Sequence, residues 1–170
     1  MPVNPPSARH PEPSGTDARA AGERDALKLW LRLLACSTQL ETEVRRRLRA
    51  RFQVTLSRFD YMAQLYRYPE GLRMNELSRR LMVTGGNVTG ITDQLVREGL
   101  VERVHVPQDR RAWHVRLTAR GRAQFARMAR AHEAWIVQAL GSLSPRDMQA
   151  LHKLLGRVKT QAQATQEPQA

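Results

Sequence analysis

From Met74 to Glu98 apolar residues recur every three or four positions, and immediately after Gly99 they recur every second one. That switch of period, from helical to extended, limits the folds open to this chain more than any other feature. Met74, Leu77 and Leu81 stripe a first short helix, and Val88, Ile91 and Leu95 stripe a second. Only Met82 and Val83 separate the first helix from Thr84, a residue suited to cap the second. Gly99 stands where a helix commonly closes in a left-handed turn. Beyond it, 100–106 and 113–117 read as strands, with Trp113, Val115 and Leu117 alternating with His114 and Arg116. The segment between them, 107–112, is short, polar and basic, the tip of a hairpin. Two short helices on a tight corner, followed by a basic ribbon, form a helix-turn-helix with a wing.

Longer helices flank this unit. Leu29, Leu33, Cys36, Leu40, Val44 and Leu48 step by three or four, and Leu27, Trp30, Leu31 and Leu34 widen the stripe at its start. Ser57 with Asp60 reads as a capping box opening a helix to about Arg67, with Leu56 stapled onto Tyr61. Thr118 opens another helix carrying Phe125, Met128, Trp135, Ile136 and Ala139, which Gly141 breaks. Ser144-Pro145-Arg146-Asp147 restarts a last helix, striped by Met148, Leu151, Leu155 and Val158. The expectation is a mostly α chain with a small β wing: a winged helix-turn-helix lobe over 53–118 and a helical dimerisation region over 23–52 and 119–163. Residues 1–22, rich in Pro, Ala, Ser and Arg, read as a disordered arm, and 164–170 as a flexible tail.

Charge then points to the partner. The 170 residues carry 28 Lys and Arg against 16 Asp and Glu, a formal net charge of +12, which favours a polyanion. No run approaches the ~20 apolar residues of a membrane span, and the first residues lack a secretory apolar core, so a cytoplasmic protein is expected. The single cysteine excludes an intrachain disulfide and a cysteine-built zinc site. The five histidines are scattered, and no nucleophile elbow, phosphate loop or dinucleotide fingerprint occurs. Neither an enzyme, a metal nor a cofactor is expected.

Double-stranded DNA fits this organisation. A helix fills the major groove and offers its first amides to phosphates. Thr84, Gly85, Gly86, Asn87, Thr89 and Gly90 face away from the apolar stripe, Asn87 being able to pair with adenine. Three glycines there weaken a helix by about 1 kcal/mol each relative to alanine, which suggests a backbone lying close to something else. Arg110 and Arg111 at the hairpin tip suit a minor groove.

The stretches Leu77-Ser78-Arg79-Arg80-Leu81, Val88-Thr89, Gly99-Leu100-Val101, Asp109-Arg110-Arg111 and Leu117-Thr118-Ala119-Arg120-Gly121 together resemble the MarR family of transcription regulators. The resemblance spans about 56–121. It implies a homodimer on a pseudo-palindromic operator, usually acting as a repressor released by a small anionic aromatic effector. Gly90 departs from the arginine common in that family, which moves base reading to Asn87, Arg97 or the wing. For the effector, Trp30 and Tyr61 can stack on a ring and Arg58 can pair with a carboxylate. Each has a plainer use, as dimer core, staple and surface cation respectively. The resemblance extends to regulators of aromatic-acid catabolism, including those sensing thioesters. Two other readings stay open: a thiol-based redox sensor through Cys36, and an architectural binder indifferent to sequence.

Overall fold

The computed structural model describes residues 15–106 and 109–165, with side chains described over 22–105 and 113–165. In chain order the elements are α1 (Gly15–Phe52), α2 (Leu56–Arg67), β1 (Leu72–Arg73), α3 (Met74–Leu81), α4 (Gly85–Arg97), β2 (Val101–Val106), β3 (Asp109–Leu117), α5 (Ala119–Ala139) and α6 (Pro145–Ala164). The chain divides into two units, one ending at Glu43 and the other starting at Val44, and α1 runs through the boundary. Among the described residues, no helix is long and apolar enough to cross a membrane.

In the first unit α1 begins at Gly15, so the arm expected over 1–22 is helical from there on. Ala18, Ala20 and Ala21 explain the difference, since alanine has the strongest intrinsic helix propensity and needs no apolar period to show it. Residues 1–14 lie outside the described residues. Leu27, Leu29, Trp30, Leu31 and Leu34 are all exposed, between 47% and 59%.

The second unit holds the core. Val44 and Leu48, from the last turns of α1, join Val54, Tyr61, Met62, Leu65, Leu77, Val88, Leu95, Leu100, Val115, Leu117, Phe125 and Met128 in one buried cluster. Its sheet is antiparallel in the order β1-β3-β2, with Leu72 facing Val115 and Val101 facing Leu117. The sequence does not announce β1, because a two-residue strand is too short to alternate. Gly71 makes it possible: its φ is +93°, and a Cβ there would stand 2.8 Å from the Val115 carbonyl oxygen.

Two local expectations change. The cap of α2 is Thr55, whose side chain accepts from the Arg58 amide, and Ser57 lies inside the helix. Both residues are good caps, and Gln53, at φ +56°, turns the chain so that Thr55 takes the extended cap geometry. β3 begins at Asp109, so the backbone of 109–112, read as hairpin tip, belongs to the strand, with Asp109 facing Val106 and the register shifting before Trp113 faces His105. Thr118 and Ser144 cap α5 and α6 as expected, each accepting from the amide three residues on. Gly121 closes α5 onto the sheet end, where a Cβ would meet the Leu100 carbonyl oxygen at 1.9 Å.

Candidate nucleic-acid interface

Helix α4 presents two unlike faces. Val88, Thr92 and Leu95 are wholly buried and Ile91 partly so. At about 100° per residue, Gly86, Gly90, Asp93 and Arg97 form the line opposite them. Thr84, Gly85, Gly86, Asn87, Thr89, Gly90 and Arg97 are all exposed, as their spacing requires. The corner between α3 and α4 is made by Met82 in the left-handed conformation, φ +53°.

The three glycines of α4 differ from Gly71 and Gly121. A Cβ at Gly85, Gly86 or Gly90 would meet nothing within 4 Å. The chain's own packing therefore gives no reason for glycine at any of them, and each weakens the helix by about 1 kcal/mol. Thr84 takes the extended cap geometry but its side chain makes no capping bond, so α4 opens without a side-chain cap on its first amides. Thr89 donates its hydroxyl proton to the Gly85 carbonyl at 3.0 Å.

Electrostatics favour an anion here because the nearby acids are matched. Arg103 on β2 pairs with Asp93, Arg58 on α2 pairs with Glu98, and Arg116 Nε lies 2.8 Å from Glu102 Oε1. Between α3 and α4 runs a groove of about 510 Å³, lined by Asn75, Ser78, Arg79, Gly85 and Thr89 among others. Asn75 and Arg79 belong to this exposed surface although the motif alone does not single them out. Their i, i+4 spacing, on the side of α3 away from Leu77, is the signal that carries them. Along the ribbon Trp113 is exposed, its ring centroid 3.6 Å from that of His105. The side chains of Arg110 and Arg111 lie outside the described residues.

The residues expected to hold an effector are divided between the two units, Trp30 in the first and Arg58 and Tyr61 in the second. Trp30 lies in the first unit, exposed. Tyr61 is wholly buried, its hydroxyl 2.6 Å from Thr92 Oγ1, and burial pushes its pKa up to about 12. Arg58 is committed to Glu98. Tyr61 and Arg58 face α4 because α2 turns its 59–63–66 face to α5 instead. On that other face Phe59, Tyr66 and Phe125 stack at centroid distances of 5.3 and 4.9 Å, and His132 lies 5.0 Å from Phe59. They line a groove of about 540 Å³ that also carries Arg67 and Arg80. Cys36, expected on a covered stripe, is exposed.

Comparison with known proteins agrees with this geometry. The model of the MarR family matches residues 54–113. A solved MarR family transcriptional regulator from Silicibacter pomeroyi is 31% identical, over 82% of this chain and 96% of that one, with a TM-score of 0.65. Sco3205 from Streptomyces coelicolor, a MarR family regulator solved in complex with DNA, has the same fold, at a TM-score of 0.72 and 23% identity over 86% of this chain and 91% of its own. The repressor YetL of Bacillus subtilis (strain 168) is 32% identical over 50% of this chain and 51% of its own. This chain thus spans about half the length of the first curated relatives it matches. Shared along nearly the whole Silicibacter regulator, and anchored in the helix pair and ribbon, the likeness makes this chain a member of the MarR family.

Proposed function

We propose that this chain is a transcriptional repressor that binds a pseudo-palindromic operator as a homodimer. The observation that carries the reading is α4 itself: glycines that the fold does not need, on the outward face of a helix whose other face is fully anchored. In this reading α4 enters the major groove, Asn87 contacts an adenine edge, Asn75 and Arg79 meet the backbone, and Arg110 and Arg111 reach the flanking minor groove. Sco3205 bound to DNA and YetL as a repressor support the same direction. A cytoplasmic location follows from such a role.

The second copy is called for by apolar stripes that stay exposed among the described residues. Met148, Leu151, Leu155 and Val158 on α6, and Leu27, Trp30 and Leu31 on α1, are exposed at helical spacing. A twofold pair that buries them against each other would read two half-sites about 34 Å apart, one turn of DNA. The effector is a small aromatic acid or its thioester, and the groove of Phe59, Tyr66, Phe125, Arg67 and Arg80 suits it better than Trp30, Arg58 and Tyr61. Its volume lies within the range of small-molecule sites, with rings for stacking and guanidinium groups for a carboxylate.

Selection from a random duplex pool, followed by gel-shift titration at one salt concentration, tests this. The expected product is a two-half-site sequence bound at least about 10³-fold tighter than random DNA, by a protein that sediments as a dimer. Addition of benzoate-type or pyridine carboxylic acids should release it, and Arg67→Ala should blunt the release. Enrichment of no sequence would leave only an architectural role.

A further inference from the structure

Arg58 and Tyr61 lie on the face of α2 that meets α4, and both are engaged there. Tyr61 Oη is 2.6 Å from Thr92 Oγ1, which is itself 2.7 Å from the Val88 carbonyl oxygen. That carbonyl can only accept, so the threonine proton goes to Val88 and Tyr61 donates to Thr92. One turn earlier on α2, Arg58 Nη2 pairs with Glu98, the C-cap residue of α4. The pair leaves the Nε of Arg58 buried and without a partner among the described residues, a cost that attachment of α4 to the core does not require. A valine at Thr92 and a phenylalanine at Tyr61 would fill the same space.

We infer that Tyr61 and Arg58 are positioning residues that fix the rotation of α4, and thereby which base edges its outward side chains meet. The inference rests on the operator-binding reading above. Apolar contacts such as those of Val88 and Leu95 hold a helix down but are not directional, whereas a hydrogen bond is. Thr92 and Glu98 are six residues apart, about 9 Å along the helix axis. Two ties at that spacing hold both roll and slide. A roll of about 20° moves an atom roughly 6 Å from the axis by about 2 Å, enough to lose a hydrogen bond to a base. From the other flank, the pairing of Asp93 with Arg103 ties α4 to β2. Buried polar ties of this kind cost stability and select one arrangement among several that an apolar seam would tolerate.

The test uses the full chain and the operator that the wild type selects. Affinity for that operator and for random duplex is measured at several salt concentrations, well below the melting temperature of each variant. Tyr61→Phe and Thr92→Val should each lower operator affinity about five- to tenfold, with random-duplex affinity and the salt slope unchanged. The double variant should bind the operator no worse than Thr92→Val alone, since both substitutions remove the same Tyr61–Thr92 bond. Arg58→Gln should also reduce the operator preference, while Arg58→Lys, which keeps the one charged contact to Glu98, should retain it. If Tyr61→Phe lowers the melting temperature yet leaves the operator-to-random ratio within about twofold, the bond serves stability alone and the inference fails. A wild-type protein that enriches no sequence would overturn the operator-binding reading itself, a result visible before any variant is made.

Discussion

Helices α4 and α6 are both amphipathic, with apolar residues at the same three- and four-residue spacing, yet their fates differ. Val88, Thr92 and Leu95 of α4 are sealed at 0% exposure, whereas Leu151 and Leu155 of α6 stay exposed at 39% and 41%. Burial of one leucine is worth about 1.5–3 kcal/mol, so a stripe of four left in water is a large unrealised stabilisation. The contrast teaches that period fixes which side of a helix is apolar and leaves open what lies against it. For α4 the cover is α3, α2 and the sheet of the same chain. For α6 it is the second copy in the proposed dimer.

The largest effect should come from charging the open stripe. In a twofold pair every substitution counts twice. Leu151→Glu should therefore weaken dimerisation by on the order of 6 kcal/mol, from lost burial on both copies plus the cost of enclosing a carboxylate. Sedimentation should show monomer at micromolar concentration, and the operator should no longer be held. The lobe built on α2, α3, α4 and the sheet should keep its helical circular dichroism. An unchanged dimer would mean that α6 meets solvent, and the comparison with α4 would lose its basis.

Leu95→Ala strikes the closed stripe instead. It removes a wholly buried side chain from the core cluster and should cost about 2–5 kcal/mol of unfolding free energy, read from urea melts. Here the order of losses should reverse: the lobe unfolds first, and dimerisation fails only with it.

Gly90→Ala is smaller and has two signs. The new Cβ meets nothing within 4 Å, so the free protein should gain about 1 kcal/mol from helix propensity. Operator affinity should fall, because that space is where the proposed duplex lies. A gain in both stability and binding would show that α4 does not approach DNA with its glycine line.

Much of this was legible from residue order. The corner at Met82, the caps Thr118 and Ser144, the turn at Gly99 and the outward set 84–87, 89 and 90 all follow from local rules, because each depends on neighbours within four residues. Ser57 against Thr55 shows the limit: two good caps stood side by side, and the backbone turn at Gln53 decided between them. The strand at Leu72–Arg73 was hidden because its evidence lies on β3, some forty residues away. The residue types and positions of Tyr61 and Arg58 suit a ligand as well as a staple and a surface cation. Which face of α2 they occupy, and that Thr92 and Glu98 wait opposite, is a long-range fact that no local period encodes.

His132 gives the smallest effect and probes the closed lobe from its other seam. Its ring lies 5.0 Å from that of Phe59, and burial lowers its pKa below 6.5, with Asp60 opposing in part. The folded protein therefore favours the neutral imidazole more than the unfolded chain does. Above pH 6.5 both states are neutral there and the site contributes no penalty. As pH falls through 6.5 toward the folded value, the unfolded chain takes up the proton first and stability declines. Melting temperature should drop slightly between pH 7 and 5.5, and His132→Gln should remove that part of the drop. Because His132 also lines the proposed effector groove, a bound carboxylate would favour the charged ring and reverse the trend. Addition of the releasing acid should flatten the pH dependence in the wild type and leave the variant unchanged. An acid that releases DNA without touching this pH profile would place the effector elsewhere, away from the seam between α2 and α5.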